Sequence, residues 1–287
     1  MSKLSKSDTS TFHRVLIAAL SGAGKSTLAS ELANEFKLIW IDLENGKDTL
    51  LKLPDSALAN IDYISIPDSA SYPIAAQTLM ILFKEMKANI CEAHGKHNCM
   101  LCKKDSLPIN SLDLTSLDSS TIVVVDSITQ LASSILAYTM KDKSVETKPE
   151  RDDWGALRKY SEFFASQFQA FPFNLVCIAQ SVEAELEDGK SKLVPSFGSK
   201  DMSSKIAKAF GDVIYMEVKN KKHVAYSAST ASNMFLTRSR GDFLIEGMEK
   251  PSLIPLFKNQ NSASPPVTPA QQAVQNLKLS NPLLKGK

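Results

Sequence analysis

The chain has 287 residues, with 33 Lys plus Arg against 31 Asp plus Glu, a formal net charge of +2, and 43% hydrophobic residues. It is too apolar for a disordered polymer, and its length suits one large or two small folded units. The opening MSKLSKSDTS lacks the apolar segment of a signal peptide, and the longest apolar runs fall short of the roughly 18–20 residues of a membrane span, so a soluble, cytoplasmic chain with no membrane partner is expected.

Residues 1–11 are polar and read as a flexible arm. An apolar, β-capable run predicts a strand over 12–19, and the spacing of Leu28, Leu32 and Ala33 predicts a helix over 25–36. Strands are expected at 37–43 and 61–66, a helix at 72–88, a buried strand at 121–126 and a helix at 127–138. Residues 91–118 break the pattern, and 140–153 read as charged and flexible. A helix over 153–170 precedes a strand over 173–180, then a long polar stretch over 181–209 and short strands at 212–218, 223–227 and 234–237. Residues 251–287 hold six of the chain's 13 prolines and no acid, which predicts a disordered tail. The folded part, 12–250, alternates strand and helix. That pattern predicts an α/β fold with a mostly parallel sheet flanked by helices.

Residues 19–27 read Ala-Leu-Ser-Gly-Ala-Gly-Lys-Ser-Thr. They fit the phosphate-binding pattern G-x-x-x-x-G-K-[ST] except for Ala19 at the first glycine, and a strand and a helix flank them as that loop requires. Ser21, Gly22, Ala23, Gly24, Lys25, Ser26 and Thr27 are thus nucleotide-binding candidates. Gly22 and Gly24 let backbone N–H groups face phosphate oxygens, and the following helix adds its positive end. Lys25 would reach the β- and γ-phosphates of ATP, and the Ser26 hydroxyl would ligate Mg²⁺. The β-branched run TIVVVD ends in Asp126, in the form of a Walker B strand, so Asp126 would hold Mg²⁺ through water. A helix-capping Asp is the other reading. Ser127 follows, where many ATPases carry a glutamate. Glu44, just past the strand over 37–43, could instead polarise water, since ligands bind at the carboxyl edge of parallel sheets. A solvated turn acid before Gly46 is the alternative.

The P-loop LSGAGKST, Asp42–Glu44, VVVDS of Val123–Ser127 and the strand ending in Gln180 resemble, in order, the RecA-like recombinase ATPases. The chain looks closest to the short, phage-encoded RecA-like proteins that anneal or pair single-stranded DNA, over residues 12–250. The resemblance implies a RecA-like P-loop NTPase domain, with Glu44 as catalytic base and Gln180 as a γ-phosphate sensor leading into a DNA-facing loop near 181–200. It also implies ATP sites between subunits of a homo-oligomer, a filament or a ring. Arg238 or Arg240, two of only five arginines, would then be a finger acting in trans. A bacterial or phage-infected cytoplasm and a single-strand-binding protein as a further partner belong to the same expectation.

Three of the four cysteines lie in Cys91-x₂-His94-x₄-Cys99-x₂-Cys102, with His97 as a spare. Two x₂ pairs around a short turn suit one tetrahedral structural Zn²⁺ in a small insert, about 91–103. A redox Cys-x-x-Cys is the other reading. Cys177, in an apolar run, reads as a core thiol. Lys141, Lys143, Lys148 and Arg151, and then Lys190, Lys192, Lys200, Lys205 and Lys208, could neutralise DNA phosphates without reading bases, although acids are interspersed. Phe197 could stack a base or plug the core.

The expected function is ATP binding and DNA-stimulated ATP hydrolysis with single-stranded DNA binding in recombination or annealing. The alternatives are a P-loop kinase acting on a small acceptor and an annealing module with little ATP turnover.

Overall fold

The structure, a computed structural model, describes residues 12–69, 72–144, 146–185, 189, 191–228, 234–239 and 246–258. The predicted arm over 1–11, Arg240, Lys190 and the tail beyond 258 lie outside the described residues.

Strand β1 (Arg14–Ala19) is apolar on both faces, and each face feeds a separate core layer. Val15, Ile17 and Ala19 join Trp40, Val124 and Ile178 in one, while Leu16 joins Ile41, Val125 and Cys177 in the other. Such two-sided burial is what a parallel strand between helical layers requires.

The remaining parallel strands are β2 (Lys37–Asp42), β3 (Ile61–Ser65), β6 (Thr121–Asp126), β7 (Asn174–Glu185) and β9 (Asp212–Lys219). Antiparallel β10 (Lys222–Tyr226) and β11 (Glu246–Met248) extend one edge, giving the order β11-β10-β9-β1-β7-β6-β2-β3. β8 (Ser191–Pro195) pairs antiparallel with the outer half of β7. The first core layer is covered by α1 (Lys25–Ser30), α2 (Lys47–Leu50) and α3 (Asp55–Leu58). The second is covered by α4 (Ile74–Glu85), α6 (Ile128–Thr139) and α7 (Arg151–Ala170). The predicted mostly parallel sheet with flanking helices is the observed fold. Among the described residues, no helix is long and apolar enough to cross a membrane.

Three local expectations change. Residues 251–258, grouped by composition with the disordered tail, include a helix, α9 (Ile254–Lys258), whose Leu256 and Phe257, with the preceding Leu253, are buried in the first core layer. Phe257 meets Phe36 edge-on at 6.0 Å, and Lys258 pairs with Glu35 at 2.8 Å. Burial of three apolar side chains outweighs the segment's proline-rich surroundings. The polar stretch over 181–209 is not one loop: β7 runs on to Glu185, pairs with β8, and leads to α8 (Lys200–Lys205). The predicted strand over 234–237 is reduced to isolated bridges, Leu193 to Phe235 and Val213 to Arg238.

The insert is a two-stranded antiparallel hairpin, β4 (Lys87–Cys91) and β5 (Ile109–Asp113), with α5 (Met100–Lys104) between them. It is fixed to α4 at Gly95, whose carbonyl accepts from Thr78 Oγ1 at 2.9 Å. Gly95 has φ +63°, and a Cβ there would fall 2.8 Å from Ile66 Cα, so only glycine fits this close approach.

Candidate nucleotide site and cysteine–histidine cluster

The β1–α1 loop borders a cavity of about 350 Å³ lined by Ser21, Gly22, Gly24, Lys25, Ser26, Thr27, Glu44, Asp126 and Gln180. These predicted residues converge because β1, β2 and β6 end at one sheet edge, where β7 passes Gln180 and continues outward. Ala23 faces elsewhere, with its methyl buried in the first core layer.

Topology brings in Gln180. β7 lies between β1 and β6, with Ala19 opposite Gln180 and Asp126 opposite Ile178. The stretch of β7 from Ile178 to Gln180 therefore stands between the phosphate loop and the acidic strand.

Ser26 Oγ donates to Asp126 Oδ2 at 2.8 Å. Asp126 is buried, and that burial, with the nearby Glu44 and Asp42 carboxylates, pushes its pKa up to about 7 against the opposing pull of Ser26 and Lys25. Lys25 Nζ donates to Leu20 O at 3.1 Å and Ala19 O at 3.4 Å. Its pKa is lowered by burial, an effect that Asp126 and Glu44 oppose.

Glu44 is held from two sides. Its backbone N–H donates to Asp42 Oδ1 at 2.8 Å, and its carboxylate accepts from Ser127 Oγ. Ser127 also caps α6, accepting from Gln130 N at 3.2 Å. Buried Asp42 accepts from Tyr63 OH at 2.6 Å, and burial plus that bond raise the phenol well above its ordinary value. Sequence patterns did not single out Tyr63, Thr49, Lys52 or His223, although the last three line the cavity. The one available signal was position, since Thr49 and Lys52 follow Glu44 closely.

The Gln180 backbone N–H donates to Thr129 Oγ1 at 2.9 Å, and Thr129 donates to Ser196 O at 3.0 Å. Ser196 N returns a bond to Gln180 O at 2.6 Å. These bonds tie the cavity's edge to the base of the β7–β8 hairpin.

Arg238 bridges to Val213 near the amino end of β9, away from the carboxyl-edge cavity. Phe197 is fully buried against Phe168, so it plugs the core and is not an exposed stacking group. Several lysines of the predicted DNA-contacting set have internal partners: Lys143 bonds Asp153 at 2.6 Å, and Lys205 bonds Asp201 at 2.6 Å. Cys177 is a buried core thiol, as expected.

In the insert, the donor atoms of Cys91, His94, Cys99 and Cys102 all lie within 4.8 Å of one another. His94 Nδ1 is 3.2 Å from Cys102 Sγ and 3.7 Å from Cys99 Sγ. His97 is turned away and accepts from Asn89 N at 3.2 Å. A hydrogen bond from the Cys102 backbone lowers the Cys99 pKa to about 6, while burial drives that of Cys102 up to about 12. A three-thiol, one-imidazole set at these spacings fits a tetrahedral Zn²⁺.

No curated protein matches the chain. Among solved structures, an ATPase from the type III secretion system of pathogenic bacteria is similar with a TM-score of 0.40 and 16% identity, over 71% of this chain and 52% of that one. EscN, from the type III secretion system of enteropathogenic E. coli, is similar with a TM-score of 0.40 and 14% identity, over 72% of this chain and 43% of that one. The chain thus spans about half the length of these structures or less. A family model described as an AAA domain matches residues 11–240. The chain belongs to this AAA-domain family of P-loop ATPases.

Proposed function

We propose that this ATPase couples ATP hydrolysis to single-stranded DNA binding in recombination or annealing, as its resemblance to phage-encoded RecA-like proteins implies. The observation that carries the reading is the position of Gln180. Its side chain borders the cavity while its backbone is bonded to Thr129 and Ser196. A change at the γ-phosphate thereby has a short route into the β7–β8 hairpin.

In this reading the loop N–H groups and Lys25 hold the phosphates, and Ser26 and Asp126 hold Mg²⁺, which neutralises phosphate charge when bound. Glu44 accepts a proton from the attacking water, and Ser127 and Asp42 hold it in place. Lys192, Lys200 and Lys208 supply non-specific phosphate contacts. Cys91, His94, Cys99 and Cys102 hold a structural zinc ion that replaces a hydrophobic core in the insert. Arg238, remote from its own chain's cavity, is available to a neighbouring subunit of a homo-oligomer in the cytoplasm.

The test is ATP hydrolysis with and without single-stranded DNA across a salt series. Stimulation by DNA that fades with salt is expected. No turnover under either condition overturns the enzymatic reading, and turnover without DNA binding overturns the DNA reading.

A further inference from the structure

A hydrogen bond reaches the phosphate loop from 200 residues away in sequence. His223, on β10, places Nδ1 2.9 Å from the Ala23 carbonyl oxygen. A carbonyl only accepts, so Nδ1 carries the proton and donates. The imidazole lies over Gly24, where a Cβ would meet Nδ1 at 3.0 Å and Cγ at 3.4 Å. His223 also divides two cavities. One is the phosphate-loop cavity, and the other, of about 550 Å³, is bordered by Thr27, Leu28, Glu31, Met216 and Pro251.

This bond governs one of the loop's donors. A trans peptide is planar, with its C=O and N–H pointing in opposite directions. Fixing the Ala23 carbonyl on His223 therefore fixes the Gly24 N–H pointing away from the imidazole. Gly24 has φ +93° and precedes the first residue of α1, so glycine's freedom would otherwise let this peptide rotate. Donors held in place before the ligand arrives stabilise an anion without reorganising. His223 itself is anchored: it pairs with Val218 across the β9–β10 hairpin, and adjacent Lys222 bonds Glu249 at 2.6 Å.

We propose that His223 is a positioning residue that holds the phosphate loop in its nucleotide-receiving form, so that the β9–β10 hairpin sets nucleotide affinity. The proposal rests on the reading of this loop as the ATP site. It assigns His223 no contact with the reacting atoms.

The test uses the full chain carrying His223→Phe or His223→Asn. Phenylalanine keeps a ring without the donor, and the asparagine Nδ2–H stands about where Nδ1–H does. His223 is exposed, so neither change opens a core cavity. Titration with a fluorescent ATP analogue and steady-state kinetics give Kd, KM and kcat. His223→Phe should raise Kd and KM about three- to tenfold with kcat nearly unchanged, and His223→Asn should recover most of the loss. Wild-type affinity in His223→Phe overturns the proposal. Equal losses in both variants also overturn it, because restoring the donor would then restore nothing, and a loss confined to His223→Asn would assign the effect to ring packing instead. Nucleotide binding undiminished in Lys25→Ala would instead overturn the ATP-site reading, which keeps the two failures distinct.

Discussion

The Ser26 hydroxyl donates a 2.8 Å hydrogen bond to Asp126, joining the first turn of α1 to the end of β6 across 100 residues of sequence. The pair shows how the site is assembled: a small hydroxyl and a buried carboxylate share one position where a divalent cation would sit. Burial, with the neighbouring Glu44 and Asp42 carboxylates, raises the Asp126 pKa to about 7.

Asp126→Asn keeps the shape and the Ser26 contact but removes the charge. Turnover should fall about 100-fold or more, and the Mg²⁺ concentration needed for activity should rise. A magnesium titration of ATP hydrolysis measures both. An unchanged magnesium requirement would remove Asp126 from the metal role.

Glu44→Gln preserves the bonds from the Glu44 backbone to Asp42 and from Ser127 to the side chain. If Glu44 is the base, kcat should drop about 100- to 10,000-fold while ATP binding persists. Parallel measurement of hydrolysis and nucleotide affinity decides the point. Retained turnover would leave Glu44 a structural acid.

The cluster of Cys91, His94, Cys99 and Cys102 should hold one zinc ion per chain, measured by elemental analysis of protein purified without chelator. Cys102→Ser should lose the metal and lower the unfolding temperature, whereas replacing His97 should do neither. Stoichiometric zinc in the Cys102→Ser protein would disprove this ligand set.

Lys143 joins the α6–α7 connection to the first turn of α7 through Asp153, which also accepts from the Glu150 backbone at 2.7 Å. The Lys143 bond comes first in holding Asp153 below its ordinary pKa, and Asp153 in turn raises Lys143. A depressed carboxylate contributes stability above the unfolded value, near pH 4, and loses it as pH falls through the folded value. The raised lysine contributes below about pH 10 and loses its share as pH rises through its folded value. Asp153→Asn should therefore melt a few degrees lower than wild type near neutral pH, and the gap should close below about pH 4. A gap independent of pH would show that the ion pair contributes nothing.

Lys192 lies on β8, and Lys200 is the first residue of α8. Replacing both with alanine should weaken single-stranded DNA binding at low salt and flatten its salt dependence by about one phosphate contact per lysine. DNA-free ATP hydrolysis should not change. Binding followed by filter retention across salt concentrations provides the comparison, and an unaltered slope would place the DNA elsewhere.

The chemistry of the nucleotide site was legible in the sequence because it is local. Gly22 through Thr27 follow a buried strand directly, Glu44 lies just past another, and Asp126 ends a β-branched run. The Cys and His spacing was legible for the same reason, since its ligands lie within 12 residues. The spacing also pointed to His94 over His97, and the insert's hairpin agrees, since it turns His97 toward Asn89. Neither the burial of Phe197 nor the docking of Leu253, Leu256 and Phe257 could be read from composition, because a loop aromatic and a proline-rich segment each become core only when a partner surface exists. The same holds for β7 lying between β1 and β6, which makes Gln180 the neighbour of both halves of the site, and for His223 reaching Ala23. Sequence alone determined which residue types carry phosphate and metal chemistry, since short motifs encode backbone turns and donor sets directly. Tertiary structure decided which of them meet, because adjacency across 100 or 200 residues is set by strand order and side-chain packing.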